Sequence, residues 1–144
     1  MTTLKPLIRV AALLLLCSTA ISADNNFDSA LQQVSQADFF SFGPVGYPGH
    51  ITVAERSYWF LVRLSPAVAL PTFERIYAGG TPEGKAYALC AMRRLDPERF
   101  KELLEEVHSS KLSVEVARGC TSSQEPLPQL AKEIERGEFL FVYP

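Results

Sequence analysis

Histidine and cysteine are scarce in this 144-residue chain, which holds two histidines and three cysteines. The sequence has no Cys-x-x-Cys motif, no His-Glu-x-x-His motif and no paired Cys/His set with zinc-ligand spacing. A Gly-x-Ser-x-Gly nucleophile elbow is also absent. Because these patterns are missing, we predict no catalytic residues, no metal site and no cofactor.

Clusters of lysine and arginine are missing as well. The chain carries 14 basic and 16 acidic residues, for a formal net charge of −2. A protein that follows a phosphate backbone concentrates basic side chains on one face. We therefore expect no nucleic-acid partner.

Long hydrophobic runs are limited to the N-terminus, where the segment Val10 to Leu16 follows two basic residues. This run is too short to span a bilayer, and it closes on small residues between positions 18 and 23. The order is typical of a secretory signal peptide. We predict that residues 1–23 are removed by cleavage after Ala20 or Ala23. The product, residues 24–144, is then a single periplasmic or secreted domain with no transmembrane anchor.

Removal of the leader changes the charge and the cysteine count. The leader contains Lys5 and Arg9 and no acidic residue, so the net charge of the remaining domain is −4. It also contains Cys17, which suggests lipidation as an alternative to cleavage. A lipidated cysteine needs a small residue before it, and Leu16 occupies that position.

Two cysteines, Cys90 and Cys120, remain after the leader. An even number of cysteines in an oxidising compartment predicts a disulfide between them. A bond across about 30 residues is worth roughly 3–4 kcal/mol in the chain-entropy model. The alternative is two unpaired buried thiols.

Helix-start signals recur along the chain at nearly constant spacing. A capping oxygen followed by proline at the first helical position marks such a start. Three dipeptides have this form: Ser65-Pro66, Thr81-Pro82 and Asp96-Pro97. Further starts at Ser113 and near Pro128 continue the series, which predicts about six short helices with a pair repeat of roughly 31 residues.

Apolar periodicity agrees with these segments. Residues 85–92 are apolar nearly all round and predict a central buried helix. The capping-box pair Thr52 and Glu55 predicts a helix start further upstream. Gly137 is expected to end the last helix. The predicted core faces are Phe27, Leu31 and Val34; Val53, Ser57, Phe60, Leu61 and Leu64; Phe100, Leu103, Leu104 and Val107; and Leu130, Ala131 and Ile134.

Two segments fit this scheme less well. Residues 112–116 alternate like a strand, but Gly119 and the regular spacing favour a short helix. Residues 139–143 are strand formers with no evident partner strand, so we expect an extended segment that packs across the helices.

The segment from Thr81 to Val107, with its proline-capped starts, the run Gly84 to Leu89 and the following Leu95-Asp96-Pro97, resembles a helix pair of a HEAT-type repeat. The resemblance implies an all-α, right-handed array of antiparallel helices that serves as a binding surface. In size, compartment and helical character the chain is also similar to small exported all-helical immunity proteins, which block toxic effectors.

The most unusual stretch is the loop from Ser41 to His50, which has three glycines and two prolines in ten residues. Such a composition precludes a helix or a central strand, and aromatic residues on surface loops are candidates for partner contact. The alternative is a loop folded down so that its aromatic residues close one end of the helices. The candidate partner-binding residues are Phe42, Val45, Tyr47, His50 and Tyr58.

These observations favour an exported, non-enzymatic protein that binds a protein partner, with an immunity or inhibitor protein that occludes its partner's site as the most specific version. One alternative is a small envelope hydrolase in which a carboxylate acts with His50. Another is a structural component of the envelope.

Overall fold

A computed structural model describes residues 25–139 of the chain. The predicted signal peptide, Cys17 and the predicted extended segment beyond Phe139 lie outside these residues. The described part forms six helices and one two-stranded antiparallel sheet. In chain order they are α1 (25–35), α2 (Val53–Val62), α3 (Pro66–Gly79), α4 (Pro82–Leu95), α5 (Pro97–His108), β1 (Ser113–Arg118), β2 (Thr121–Pro126) and α6 (Leu127–Arg136).

The proline-marked helix starts are confirmed, because α3, α4 and α5 each begin at the predicted proline. Thr81 and Asp96 cap α4 and α5 by accepting hydrogen bonds from backbone N–H groups in the first turn. The end of α6 is confirmed as well. Gly137 follows it in the left-handed conformation, with φ of 86°.

Helix α4 lies at the centre of the core, as its apolar composition predicted. Residues 86–92 are all buried, and α3, α5, α6 and β1 pack around this helix. Helix α1 crosses α4 near the N-terminal end of α4, at Gly84. A Cβ atom there would lie 2.8 Å from the backbone oxygen of Ser35 and 2.9 Å from that of Val34. The close approach of α1 therefore requires glycine at this position.

The predicted core faces of α5 and α6 are confirmed, whereas that of α2 is correct for Ser57, Leu61 and Leu64 and wrong for Val53 and Phe60. Phe60 and Val53 are 42% and 49% exposed, while Tyr58 lies in the core at 3%. The period alone did not decide which side of this helix faces inward, because apolar residues occur on both sides of it. The buried residues of α2 are Glu55, Ser57, Tyr58, Leu61 and Val62.

The all-α fold class is wrong, because the segment predicted as a helix from Ser113 is a β-hairpin. Strands β1 and β2 pair antiparallel, with Arg118 opposite Thr121 across a two-residue turn. Gly119 in that turn has a φ of 59°, a conformation that glycine adopts readily. The strand-like alternation of residues 112–116 buries Val114 and Val116 and was the correct signal, whereas the regular spacing of the helix starts was misleading here. A continuous array of six antiparallel helices is therefore not present in residues 25–139.

The predicted disulfide is wrong as well, because Cys90 and Cys120 are both free. Cys90 is buried on α4, where burial raises the pKa of its thiol. Cys120 is exposed in the hairpin turn. The even cysteine count carries no information about distance, and the hairpin holds Cys120 at the surface while Cys90 remains in the core. The alternative of two unpaired buried thiols is correct in part, since both thiols are unpaired but only Cys90 is buried.

Candidate functional site

The loop 41–50 is held at its base by a buried tyrosine. The hydroxyl of Tyr87 donates a hydrogen bond to the carbonyl oxygen of Ser41 at 2.9 Å, and the N–H of Ser41 donates to the Tyr87 oxygen at 3.2 Å. Both residues are fully buried. The two backbone groups of Ser41 are thus paired by a side chain from α4, which fixes where the loop leaves the core.

The carboxylate of Glu55 holds the next part of the loop. It accepts the Gly43 N–H, with distances of 3.0 and 3.2 Å to its two oxygens, and it accepts the Trp59 indole N–H at 3.4 Å. Glu55 is fully buried, and within residues 25–139 no cationic side chain forms an ion pair with it. Burial raises the pKa of this carboxyl group, and the bonds from Gly43 and Trp59 oppose that effect.

The predicted capping box at Thr52 and Glu55 is therefore half formed. Thr52 caps α2 by accepting the backbone N–H of Glu55 at 3.0 Å. The side chain of Glu55 does not return to Thr52 but bonds to Gly43 in the loop. The glutamate of this local motif makes a tertiary contact with the loop instead of closing the capping box.

The tip of the loop is closed on itself and tied to the hairpin. Val45 and His50 exchange two backbone hydrogen bonds, of 3.0 and 2.9 Å. The N–H of Gly46 donates to the carbonyl oxygen of Gly119 in the β1–β2 turn at 2.8 Å. Three backbone bonds thus hold the tip in one shape against a second element.

The loop divides into exposed residues and packed residues. Tyr47, at the tip, is 96% exposed, and His50 is exposed. Val45 is half-buried. Phe42 is partly buried, and Tyr58 belongs to the core. The structure therefore separates the five candidate residues into a buried base and an exposed tip.

Phe42 lies in an aromatic cluster that closes this end of the core. Its ring centroid lies 5.1–6.3 Å from five others, mostly in edge-to-face geometry. These five rings belong to Phe40, Tyr58, Trp59, Tyr87 and Phe139. The cluster fixes the position of the loop base through apolar packing in addition to the hydrogen bonds.

An open groove of about 910 Å³ runs beside the loop, between the end of α1, the start of α2 and the hairpin. Its walls include His50, Cys120 and two carboxylates, Asp38 and Glu115. Within the part of the chain that the structure describes, the imidazole of His50 has no hydrogen bond to a carboxylate.

A second groove, of about 700 Å³, follows the outer side of α2. It shares His50, Ile51 and Arg56 with the first groove, so the two form one surface on either side of the loop. Phe60 and Arg63 extend it along the helix. This face was not predicted from the sequence, which suggested Phe60 as a core residue, although the spacing of Arg56, Phe60 and Arg63 places all three on one side of a helix.

Comparison with protein-family models, curated proteins and solved structures finds no match to this chain. Between residues 25 and 139, no group of three or more His, Cys, Asp or Glu side chains is arranged to hold a metal ion. No helix in the same range has the length and apolar character needed to cross a membrane.

Proposed function

We propose that this protein is a non-enzymatic binding protein that contacts a protein partner through the tip of the loop 41–50. The observation that carries the proposal is the contrast between the exposure of Tyr47, at 96%, and the fixed backbone on which it lies. When a partner covers an aromatic ring that an ordered loop leaves in water, apolar surface is removed from water and the free energy of binding becomes more favourable.

The physical advantage of this arrangement is preorganisation. Binding costs free energy when loops and side chains become ordered, and a loop that is already fixed avoids part of that cost. Tyrosine adds a large rigid surface with only two side-chain torsions to restrict. The bonds of Gly43, Val45 and Gly46 thus support a role for Tyr47 as an interface anchor.

We further propose that the protein acts after export, in the periplasm or outside the cell, as the leader pattern of residues 1–23 suggests. An immunity or inhibitor protein is the specific version, in which the loop occludes the site of an exported toxin.

Site-specific photo-crosslinking tests this proposal in the cells that produce the protein. A photoreactive phenylalanine analogue at Tyr47 is expected to capture one abundant partner. The matched control carries the analogue at Leu112, which is 41% exposed outside the loop, and is expected to capture none of that partner. Equal capture at both positions would contradict the proposal.

The captured partner then allows a quantitative test with Tyr47→Ala. We expect affinity to fall by roughly 1–2 kcal/mol, which is about 5- to 30-fold, while the midpoint of thermal unfolding stays unchanged. Calorimetric titration and thermal unfolding measure the two quantities. Unchanged affinity would show that Tyr47 is not an anchor.

A further inference from the structure

Helix α2 turns an unusual face to solvent beside the loop. Val53 and Phe60 are 49% and 42% exposed, and Arg56 and Arg63 are exposed with them. These four residues are spaced along one side of the helix, and Ile51, Trp59 and Leu64 add to the groove of about 700 Å³ that runs along it. Apolar and cationic surface therefore lie together in one concavity.

The two arginines of this face have no acidic partner within the described residues. No carboxylate there lies within 4.0 Å of the guanidinium of Arg56 or Arg63. The side chain of Arg56 makes one hydrogen bond, at 3.3 Å to the carbonyl oxygen of Ile51, and most of its donors remain available. Some other arginines of the chain are paired, since Arg99 and Arg118 each contact two or more glutamates.

The spacing of the two arginines sets the geometry of a ligand. Seven residues separate them, which is two helical turns or about 10 Å along the axis. Phe60 lies between them on the same side. A ligand that fits this row presents two negative groups about 10 Å apart, with an apolar group between them.

We infer that the groove along α2 binds an acidic segment of a protein partner, in which two carboxylates about 10 Å apart flank an apolar side chain. Guanidinium groups pair with carboxylates in a two-pronged geometry that favours carboxylate over a point charge. The apolar side chain of the partner covers Phe60. In a helical segment the two carboxylates lie seven residues apart, whereas side chains three residues apart in an extended segment point to opposite faces and do not fit.

An anionic membrane surface is a poorer fit to the same residues. Peripheral membrane binding uses clusters of about four to eight basic residues on a convex or flat face. This face offers two arginines in a groove, on a protein whose net negative charge is repelled by anionic lipid.

This inference rests on the proposed function and adds the chemistry of the partner. The test begins with display selection of random dodecapeptides against the full chain. Peptides that bind are expected to be enriched in Asp and Glu at the predicted spacing around Leu, Ile or Phe. Their affinity, measured by fluorescence anisotropy, is expected to fall as salt is raised because the contacts are ionic and accessible to solvent.

The double variant Arg56→Glu/Arg63→Glu is expected to weaken these peptides by on the order of tenfold or more. The matched control is Arg75→Glu on α3, another exposed arginine with no carboxylate pair in residues 25–139. It is expected to leave the affinity unchanged. Circular dichroism of each variant verifies that the helices are retained.

Several results would overturn the inference. They are an absence of enriched peptides, enrichment without acidic residues, equal binding by the double variant, and binding to phosphatidylglycerol vesicles in preference to the peptides. The crosslinked partner separates this failure from that of the proposed function. If Tyr47→Ala weakens that partner and the arginine variant does not, the loop binds the partner and the inference on α2 is wrong.

Discussion

Two faces of this molecule differ in whether their arginines form ion pairs. On one, Arg99 of α5 contacts Glu74 of α3 at 2.6 Å and Glu102 at 2.8 Å, and Arg118 of the hairpin bridges Glu125 and Glu133. On the face formed by the loop and α2, the arginines have no carboxylate partner in the described residues, and Tyr47 and Phe60 are exposed beside them.

The difference indicates which face has its charged groups neutralised by internal ion pairs and which face is available to a partner. A face whose charged groups already form internal ion pairs contributes little binding free energy, because a partner would have to replace existing contacts. The loop and α2 face offers unpaired cations and apolar area on an ordered backbone. Those are the features that a complementary surface can use.

The strongest test of this contrast is to release the base of the loop while leaving its tip unchanged. Tyr87→Phe removes the hydroxyl that pairs both backbone groups of Ser41 in the core. We expect a loss of about 1–3 kcal/mol in the free energy of unfolding, because buried polar groups are left without partners. Urea denaturation measures this loss.

Tyr77→Phe serves as the control for that prediction. Tyr77 is partly exposed, and its hydroxyl has no hydrogen bond within residues 25–139. We expect its free energy of unfolding to stay within about 0.5 kcal/mol of the wild type. Similar losses in the two variants would show that Tyr87 does not hold the loop.

A second prediction concerns pH and the carboxylate of Glu55. Burial raises its pKa in the folded protein, so the folded state holds this proton more tightly than the unfolded state. The contribution of Glu55 to stability is therefore fully present below the unfolded pKa and is lost as pH rises through the folded pKa. The slope from one group is at most about 1.4 kcal/mol per pH unit.

Glu55→Gln isolates this effect, because the amide oxygen can still accept the Gly43 N–H and the side chain does not ionise. The difference in unfolding free energy between wild type and variant, measured by urea denaturation from pH 4 to pH 8, is expected to shift in favour of the variant as pH rises. A difference that is constant across this range would refute the assignment of a raised pKa to Glu55.

The smallest effects separate the two faces directly. Arg118→Ala removes contacts with Glu125 and Glu133 and is expected to cost about 0.2–1 kcal/mol, with less loss at high salt. Arg63→Ala breaks no ion pair within the described residues and is expected to leave stability unchanged. Thermal unfolding at low and high salt compares them, and equal losses would contradict the contrast between the faces.

The sequence predicted the helices best where the signals were local. The prolines at 66, 82 and 97 and Gly137 placed helix ends correctly, because capping is decided within a few residues. The hairpin was missed for the opposite reason. Its second strand, Thr121–Pro126, is polar and exposed, so it has no apolar alternation to mark it.

The site was predicted in part. Composition identified the loop and its aromatic residues, yet it did not distinguish the exposed Tyr47 from the packed Phe42. That difference depends on rings from distant positions, such as Tyr87 and Phe139. The role of Glu55 also depends on a contact with Gly43, which a capping motif does not reveal.

The most direct test of a preformed loop is amide hydrogen exchange of the free chain, followed by NMR. We predict that the N–H groups of Gly43, Val45, Gly46 and His50 exchange slowly because each donates a hydrogen bond within the folded protein, while the Tyr47 N–H exchanges quickly. Exchange of all five at the rates of an unstructured peptide would contradict the claim that the loop is ordered before a partner binds.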